Sequence, residues 1–190
     1  MPNRRHCLRL AIAWPALGAW AQTPQAEALL RGGGVVLVMR HALAPGNFDP
    51  PEFALGDCST QRNLNDEGRA QAQRIGAWFA SRALRPTRVR TSPWCRCVDT
   101  ARLAFGDAAQ VWPALGSPRA SADEANRAHG QALLQALVAA SARRAGFEVW
   151  VTHMFVLSAL VGAAADSGEG LVLRAGPTGS PEVLARLPAA

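Results

Sequence analysis

Residues 35–41 read Val35-Val36-Leu37-Val38-Met39-Arg40-His41, a continuous apolar run that ends in two polar side chains. Such a short run, rich in β-branched residues, is typical of a strand buried on both faces of a parallel sheet. Residues 149–153 repeat the pattern as Val149-Trp150-Val151-Thr152-His153. Because ligands of open α/β sheets bind beyond the carboxyl ends of the strands, we expect the two histidines to share one pocket.

The composition is that of an ordinary globular protein, with 190 residues of which 49% are apolar and 18% charged. No repeat or low-complexity linker divides the chain, so we expect a single domain over residues 22–190. The predicted elements are a helix over 65–83 capped by Asn65, a strand over 89–92, a helix from Pro93 to Phe105 capped by Ser92, a helix over 122–145, a strand over 148–152, a helix over 155–161, and closing strands over 171–174 and 182–187. This alternation predicts an α/β fold with a mostly parallel sheet covered on both faces.

The first 21 residues have the layout of a signal peptide. Arg4, Arg5 and Arg9 precede an uncharged stretch over 10–20, and the small residues of Ala19-Trp20-Ala21 provide a cleavage site. The apolar stretch is too short for a permanent membrane anchor, so we expect cleavage after Ala21 and a periplasmic or secreted protein. The arginine pair also matches part of a twin-arginine signal, which leaves the export route open. The alternative is an N-terminal helix packed on the domain.

The charge of the chain argues against nucleic acid as a partner. All basic residues are arginines, and 20 of them against 14 acidic residues give a formal charge of +6. Loss of the three arginines of the leader lowers this charge to +3. Because the remaining arginines form no basic run and no aromatic residues are interleaved with them, a diffuse nucleic-acid surface is not expected.

Three cysteines, Cys58, Cys95 and Cys97, remain after the leader. Cys95 and Cys97 lie two residues apart at the start of a predicted helix and point to different faces, so we expect Cys58 to pair with Cys95 and Cys97 to be buried. The sequence alone does not fix this pairing. No cysteine has the spacing to an arginine that a cysteine phosphatase needs, no Cys/His set has zinc-ligand spacing, and no Gly-x-Ser-x-Gly elbow of a serine hydrolase occurs.

Three predicted strand-to-helix junctions carry polar residues of one kind. Arg40-His41 follows the first strand, Ser92 to Arg96 the second, and Thr152-His153 the third. Helix N-termini attract anions, and guanidinium groups bond phosphate oxygens bidentately. A phosphoryl group is therefore the simplest ligand for this set of side chains.

Four segments together resemble the histidine phosphatase superfamily, which includes phosphoglycerate mutases and acid phosphatases. Arg40-His41-Ala42 is similar to its Arg-His-Gly signature, with alanine at the glycine position. The segment over 62–68, Arg-Asn-Leu-Asn-Asp-Glu-Gly, resembles Arg-x-Leu-Thr-x-x-Gly, and the segment over 91–101 resembles Ser-Pro-x-x-Arg-Ala-x-x-Thr-Ala. Val151-Thr152-His153 completes the order. The resemblance implies a three-layer α/β/α fold of the phosphoglycerate mutase type.

The resemblance also implies roles for individual residues. His41 would be the nucleophile, Arg40 and Arg96 would clamp the phosphoryl oxygens, and His153 would complete the pocket. Flanking arginines lower the pKa of a histidine, so His41 could attack phosphorus without a separate base, a metal or a cofactor. The family's leaving-group acid has no clear counterpart. Glu124 is our candidate proton donor, with Asp49 and Glu52 as rivals.

Two further residues are candidates for substrate binding. Arg62 would contact the substrate or form a salt bridge at a helix entry, and Asn47 would contact the substrate or occupy a turn after Pro45-Gly46. The sequence thus predicts a metal-independent phosphatase acting on small or macromolecular phosphomonoesters through a phosphohistidine. The alternative is a non-catalytic phosphoester-binding relative. A third hypothesis is a mutase, which we favour less because sugar-phosphate glycolysis is cytosolic and we expect this chain to be exported.

Overall fold

The computed structural model describes residues 18–118 and 122–189. Its helices are α1 Gly18–Gly32, α2 Asp66–Ser81, α3 Cys95–Phe105, α4 Asp123–Ser141 and α5 Met154–Val161, and its strands are β1 Val35–Arg40, β2 Arg88–Thr91, β3 Gln110–Val111, β4 Phe147–Thr152, β5 Gly170–Ala175 and β6 Pro181–Leu187. Two short 3₁₀ turns lie at Cys58–Thr60 and Pro113–Leu115. None of the helices in this part of the chain is long and apolar enough to cross a membrane.

The strands form one six-stranded sheet in the order β3-β2-β4-β1-β5-β6. Strands β1 to β4 are mutually parallel, whereas β5 and β6 run antiparallel at one side. The parallel strands β1 and β4 are central, and their registered partners run from Val35 opposite Phe147 to Arg40 opposite Thr152. The predicted α/β fold with a mostly parallel sheet is confirmed.

Apolar cores lie on both faces of the sheet. Alternate residues of β1 enter them, with Val35, Leu37 and Met39 on one face and Val36 and Val38 on the other. The first face is covered by α1, α2 and α3, and the second by α4 and α5. Because both faces are buried, the strand has no polar side, which explains its unbroken apolar sequence.

The structure corrects several predicted boundaries. Helix α3 begins at Cys95 with Trp94 at the cap position, so the predicted cap Ser92 is wrong. The Ser92 N–H instead bonds the Val151 carbonyl at 2.9 Å and so continues the ladder between β2 and β4. Helix α4 ends at Ser141, before the predicted 145, because the chain must turn back to enter β4 at Phe147. The Asn65 cap is confirmed, since its Oδ1 accepts the Gly68 N–H at 2.8 Å.

Helix α1 and the two-residue strand β3 are not among the predicted elements. Helix α1 packs on the sheet through Ala26 and Leu30, which are both buried. The predicted leader over 1–21 lies outside the described residues except for 18–21, which form the first turn of α1. The predicted cleavage after Ala21 therefore stays a prediction.

Helix α2 lies directly against the segment that follows His41. A Cβ atom added to Gly68 would come within 1.9 Å of the Leu43 carbonyl oxygen. The Leu43 N–H in turn donates to Gln71 Oε1 at 2.9 Å. A side chain at residue 68 would thus push the helix away from the backbone that supports the histidine.

We expect Gly68→Ala to lower the free energy of unfolding by about 1–3 kcal/mol, because the clash is with backbone that cannot move freely. Gly130 in α4 is a matched control, since no atom lies within 4 Å of a Cβ added there. Gly130→Ala should raise stability by roughly 0.5–1 kcal/mol through helix propensity. Urea denaturation of both variants measures the difference, and equal stabilities would contradict the close approach of α2.

Candidate active site

The two histidines predicted to share a pocket lie side by side. The His41 N–H donates to the Thr152 carbonyl at 2.9 Å, which extends the β1–β4 ladder by one residue and aligns His41 with His153. Their ring centroids are 5.6 Å apart. Both side chains are buried, with 2% and 3% of their surface exposed. The structure therefore brings together two residues that are 112 positions apart in the sequence.

A backbone carbonyl fixes the tautomer of His41. Its Nδ1 lies 2.7 Å from the Ala42 carbonyl oxygen. A carbonyl can only accept a hydrogen bond, so Nδ1 carries the proton and the lone pair is on Nε2. The Ala42 N–H is itself held by Thr100 Oγ1 at 3.0 Å, and the Thr100 hydroxyl donates to the Arg96 carbonyl at 2.7 Å. Helix α3 thus holds the backbone of Ala42, and the Ala42 carbonyl in turn orients the His41 ring.

His153 has the opposite tautomer. A guanidinium N–H of Arg96 approaches its Nδ1 at 3.4 Å, and Ser92 Oγ lies 2.8 Å from its Nε2. Because a guanidinium can only donate, Nδ1 is the acceptor and Nε2–H donates to the Ser92 hydroxyl. The Trp94 ring packs edge-on against the imidazole, with centroids 5.1 Å apart. His153 is therefore a neutral ring fixed in orientation by β2 and α3.

Three arginines surround the two rings. Arg40 donates to the Ala165 carbonyl at 3.2 Å, and Arg62 donates to the Ala44 carbonyl. Arg96 is 4% exposed and reaches the Arg62 carbonyl at 3.3 Å. The Nε atoms of Arg40, Arg62 and Arg96 are all buried, and none has a hydrogen-bond partner within the described ranges. Buried donors without partners are costly, and anionic oxygens would satisfy them.

The burial and the arginines together keep both histidines neutral. Burial is the largest influence on His41, and the nearby charges of Arg96, Arg62 and Arg40 act in the same direction, so its pKa falls from 6.5 to about 3, although the bond to Ala42 opposes this. The pKa of His153 is also well below its usual value, through burial first and then Arg96. At neutral pH the Nε2 lone pair of His41 is therefore free to act as a nucleophile.

The Asp49 carboxylate forms a two-point ion pair with Arg96, with N–O distances of 2.7 and 3.2 Å. It also accepts the Arg62 backbone N–H at 3.1 Å and the Trp94 indole N–H at 3.2 Å. Burial acts to raise the pKa of Asp49, but the hydrogen bonds from Arg96 and from the Arg62 backbone outweigh it, so the pKa lies below its ordinary value. Asp49 is consequently an ionised partner of Arg96.

A disulfide attaches the loop that carries Asp49 and Arg62 to the start of α3. Cys58 and Cys95, the pair that we expected, are bonded with their Cα atoms 5.7 Å apart. Cys97 is buried with a free thiol, and burial raises its pKa to about 12. Because Arg96 directly follows Cys95, the disulfide holds Arg96 and the loop in one unit.

These groups line a pocket of about 300 Å³. Among the predicted site residues, the pocket wall includes Arg40, His41, Asn47, Arg62, Arg96 and His153. Glu124 is not among them, since it lies exposed in the first turn of α4. The structure therefore does not bring our candidate proton donor to the pocket. Glu52 is also absent from the wall, whereas the other rival, Asp49, is present.

The pocket includes residues that sequence reasoning missed. Ser117, Phe48, Met154 and Phe155 line it, and Ser92 and Thr100 orient the histidines from behind. Thr100 lies in the segment over 91–101, so the motif pointed to its position but not to its hydrogen bonds. Within residues 18–118 and 122–189, no cluster of three or more His, Cys, Asp or Glu side chains could hold a metal ion.

A model of the histidine phosphatase superfamily (branch 1) matches residues 36–117, which contain the first three of the four motifs and somewhat less than half of the chain. This match supports an assignment of the chain to the histidine phosphatase superfamily. No protein of curated function matches the sequence at a significant level.

Solved structures share the fold at low sequence identity. The protein histidine phosphatase SixA, determined with tungstate, is 16% identical with a TM-score of 0.55, covering 81% of this chain and 96% of that one. Phosphoserine phosphatase from Entamoeba histolytica is 12% identical with a TM-score of 0.58, covering 80% and 95%. Alpha-ribazole phosphatase from Shigella flexneri is 16% identical with a TM-score of 0.57, also covering 80% and 95%. At these identities the likeness establishes the phosphoglycerate mutase-like fold.

The lowered pKa of His41 makes stability depend on pH. The unfolded chain binds a proton at His41 below about pH 6.5, whereas the folded protein does so only near pH 3. Acidification over this window therefore favours unfolding, by up to about 1.4 kcal/mol per pH unit from this residue. We expect His41→Asn to show a shallower loss of stability than the wild type between pH 6.5 and 4, measured by chemical denaturation. Parallel curves for the two proteins would contradict a buried neutral His41.

Proposed function

We propose that this protein is a metal-independent phosphatase that hydrolyses phosphomonoesters through a phosphohistidine on His41. The observation that carries the proposal is the neutral His41, whose Nε2 lone pair lies beside three arginines. The superfamily match supports it, and so do the solved structures of the same fold, which include a phosphoserine phosphatase and an alpha-ribazole phosphatase.

In the first step the phosphoryl group occupies the pocket with its oxygens on the guanidinium groups. Nε2 of His41 attacks phosphorus, the P–N bond forms and the P–O bond to the leaving group breaks. The negative charge of the transition state spreads over the phosphoryl oxygens, where the fixed charges of Arg40, Arg62 and Arg96 stabilise it. The Ala42 carbonyl accepts a stronger hydrogen bond from Nδ1–H as the ring becomes positive.

In the second step water attacks the phosphohistidine. The oxygen of water bonds to phosphorus, the electron pair of the P–N bond returns to Nε2, and a proton passes to the solvent. The proton of His153 stays on Nε2, which donates a hydrogen bond to the Ser92 hydroxyl. The role of His153 is therefore to shape the pocket and to orient Arg96. Phosphate then leaves, and the neutral His41 is restored.

We also propose that the chain is exported to the periplasm or beyond. The signal-peptide layout of residues 1–21 supports this, and so does the Cys58–Cys95 disulfide, because such bonds persist in oxidising compartments. Mass spectrometry of the exported protein should find Gln22 as its first residue. A first residue upstream of Ala21 in that protein would contradict the proposed cleavage.

We expect His41→Ala to lower the kcat for 4-nitrophenyl phosphate by at least ~10³-fold, since removal of a covalent nucleophile leaves only binding and electrostatics. His129→Ala is a matched control on α4, because His129 does not line the pocket that contains His41. After a brief reaction and an alkaline denaturing quench, peptide mass spectrometry should find phosphate on His41 of the wild type.

Two results would overturn the proposal. One is turnover by His41→Ala at the wild-type rate, which would place the nucleophile elsewhere. The other is tight binding of phosphate esters without turnover or a phosphopeptide, which would identify the protein as the non-catalytic relative that the sequence analysis left open.

A further inference from the structure

Among the described residues, the pocket that contains His41 has no carboxyl group that is free to donate a proton. The chain contains 14 Asp and Glu residues, and every one of them lies within the described ranges. Only Asp49 is part of the pocket wall that contains His41. Residues 119–121, which fall outside the described ranges, are Arg, Ala and Ser. No Asp or Glu side chain therefore lies outside the described residues.

Asp49 is in no state to donate a proton. Both of its oxygens bond Arg96, at 2.7 and 3.2 Å, and they also accept N–H groups from Arg62 and Trp94. A carboxyl with four donors around it is ionised and acts only as an acceptor. Its function in this structure is to hold the Arg96 guanidinium in place beside His153.

The remaining polar groups are no better as acids. The Nε2–H of His153 already donates to Ser92, and the ring is neutral, so loss of that proton would create an imidazolate. The Ser117 hydroxyl lines the pocket but is itself a weak acid. An alkoxide leaving group would therefore depart without protonation. Because general acid catalysis typically accelerates such a step by ~10²–10⁴-fold, its absence would slow the cleavage of alkyl esters by a factor of this order.

We propose that this site acts on phosphoryl compounds whose leaving group needs no proton from an acid. Aryl phosphates and acyl phosphates meet this condition because the departing oxyanion is stabilised by resonance. Phosphoramidates meet it when the bridging nitrogen is already protonated. This inference rests on the proposed function: among phosphomonoesters it selects the aryl esters, and it adds acyl phosphates and phosphoramidates to the substrates.

The mouth of the pocket is consistent with leaving groups of this kind. Phe48 is 81% exposed and Phe155 is 52% exposed, and both contribute to the pocket wall. Exposed aromatic rings beside a recognition pocket provide stacking surfaces for planar groups. A flat aryl or heteroaryl group can pack there while its phosphoryl group lies among the arginines.

The first step then balances without a proton transfer to the leaving atom. The P–N bond to His41 Nε2 forms, and the electron pair of the breaking bond stays on the departing oxygen, which leaves as an aryloxide or carboxylate. For a phosphoramidate that is protonated on nitrogen, the same electron pair leaves a neutral amine. Water hydrolyses the phosphohistidine as before.

The dependence of kcat/KM on the leaving group tests this proposal, because kcat/KM reports the steps up to formation of the phosphohistidine. The probes are a series of substituted phenyl phosphates, acetyl phosphate, phosphoramidate and the alkyl ester glycerol 2-phosphate. We expect kcat/KM to fall steeply as the leaving phenol becomes more basic, and glycerol 2-phosphate to be at least ~10²-fold slower than 4-nitrophenyl phosphate. Comparison of acetyl phosphate with phosphoramidate shows whether the site prefers an oxygen or a nitrogen leaving atom.

Two variants identify any hidden acid. Here the slope is that of log kcat/KM against the pKa of the leaving phenol. Asp49→Asn should slow all phenyl phosphates by a similar factor, because it loosens Arg96, and the slope should stay unchanged. Glu124→Gln should leave the slope unchanged as well. A flat wild-type slope would overturn the proposal, as would a variant that slows only the basic leaving groups. Failure of the proposed function is separate, since it would appear as no turnover of any probe or as full activity in His41→Ala.

Discussion

The site depends on the parallel pairing of β1 with β4. The register that places Arg40 opposite Thr152, continued by the bond from the His41 N–H to the Thr152 carbonyl, sets the two imidazoles 5.6 Å apart. A shift of one residue would turn His41 to the other face of the sheet and bury it in an apolar core. The alternate apolar residues of β1, packed in cores on both faces, oppose such a shift, so the hydrophobic pattern also fixes the position of His41 beside His153.

This geometry concentrates positive charge in a buried place. Burial lowers the pKa of Arg62, and the neighbouring Arg96 lowers it further, which shows that the arginines repel one another. Three features offset the repulsion: both histidines are neutral, Asp49 pairs with Arg96, and the Cys58–Cys95 disulfide ties the loop to α3. The remaining positive charge and the unpaired Nε donors favour a phosphoryl group. The same pairing of Asp49 with Arg96 keeps the Asp49 carboxylate from acting as a proton donor, which is the basis of the substrate range that we propose.

The strands that carry the two histidines could be predicted from the sequence, because buried strands have a local pattern of apolar residues. The apolar runs before His41 and before His153 identify buried strands, and parallel strands present their ends at one edge of the sheet. Interactions between distant segments were less predictable. The Ser92 hydroxyl bonds His153, 61 positions away, rather than capping the next helix. The location of Glu124, outside the pocket, could not be read from an isolated acidic pair. Likewise, no local signal shows that Asp49 would pair with Arg96, 47 positions away.

We propose that Nε2 of His41 attacks a phosphoryl group held by three arginines. A crystal structure of the protein with orthovanadate, which mimics the transition state of phosphoryl transfer, tests it most directly. We predict a vanadium–Nε2 bond to His41, with vanadate oxygens within hydrogen-bonding distance of Arg40, Arg62 and Arg96 and with Nδ1 still on the Ala42 carbonyl. Vanadate bound away from His41, or bonded to another side chain, would show that His41 is not the nucleophile.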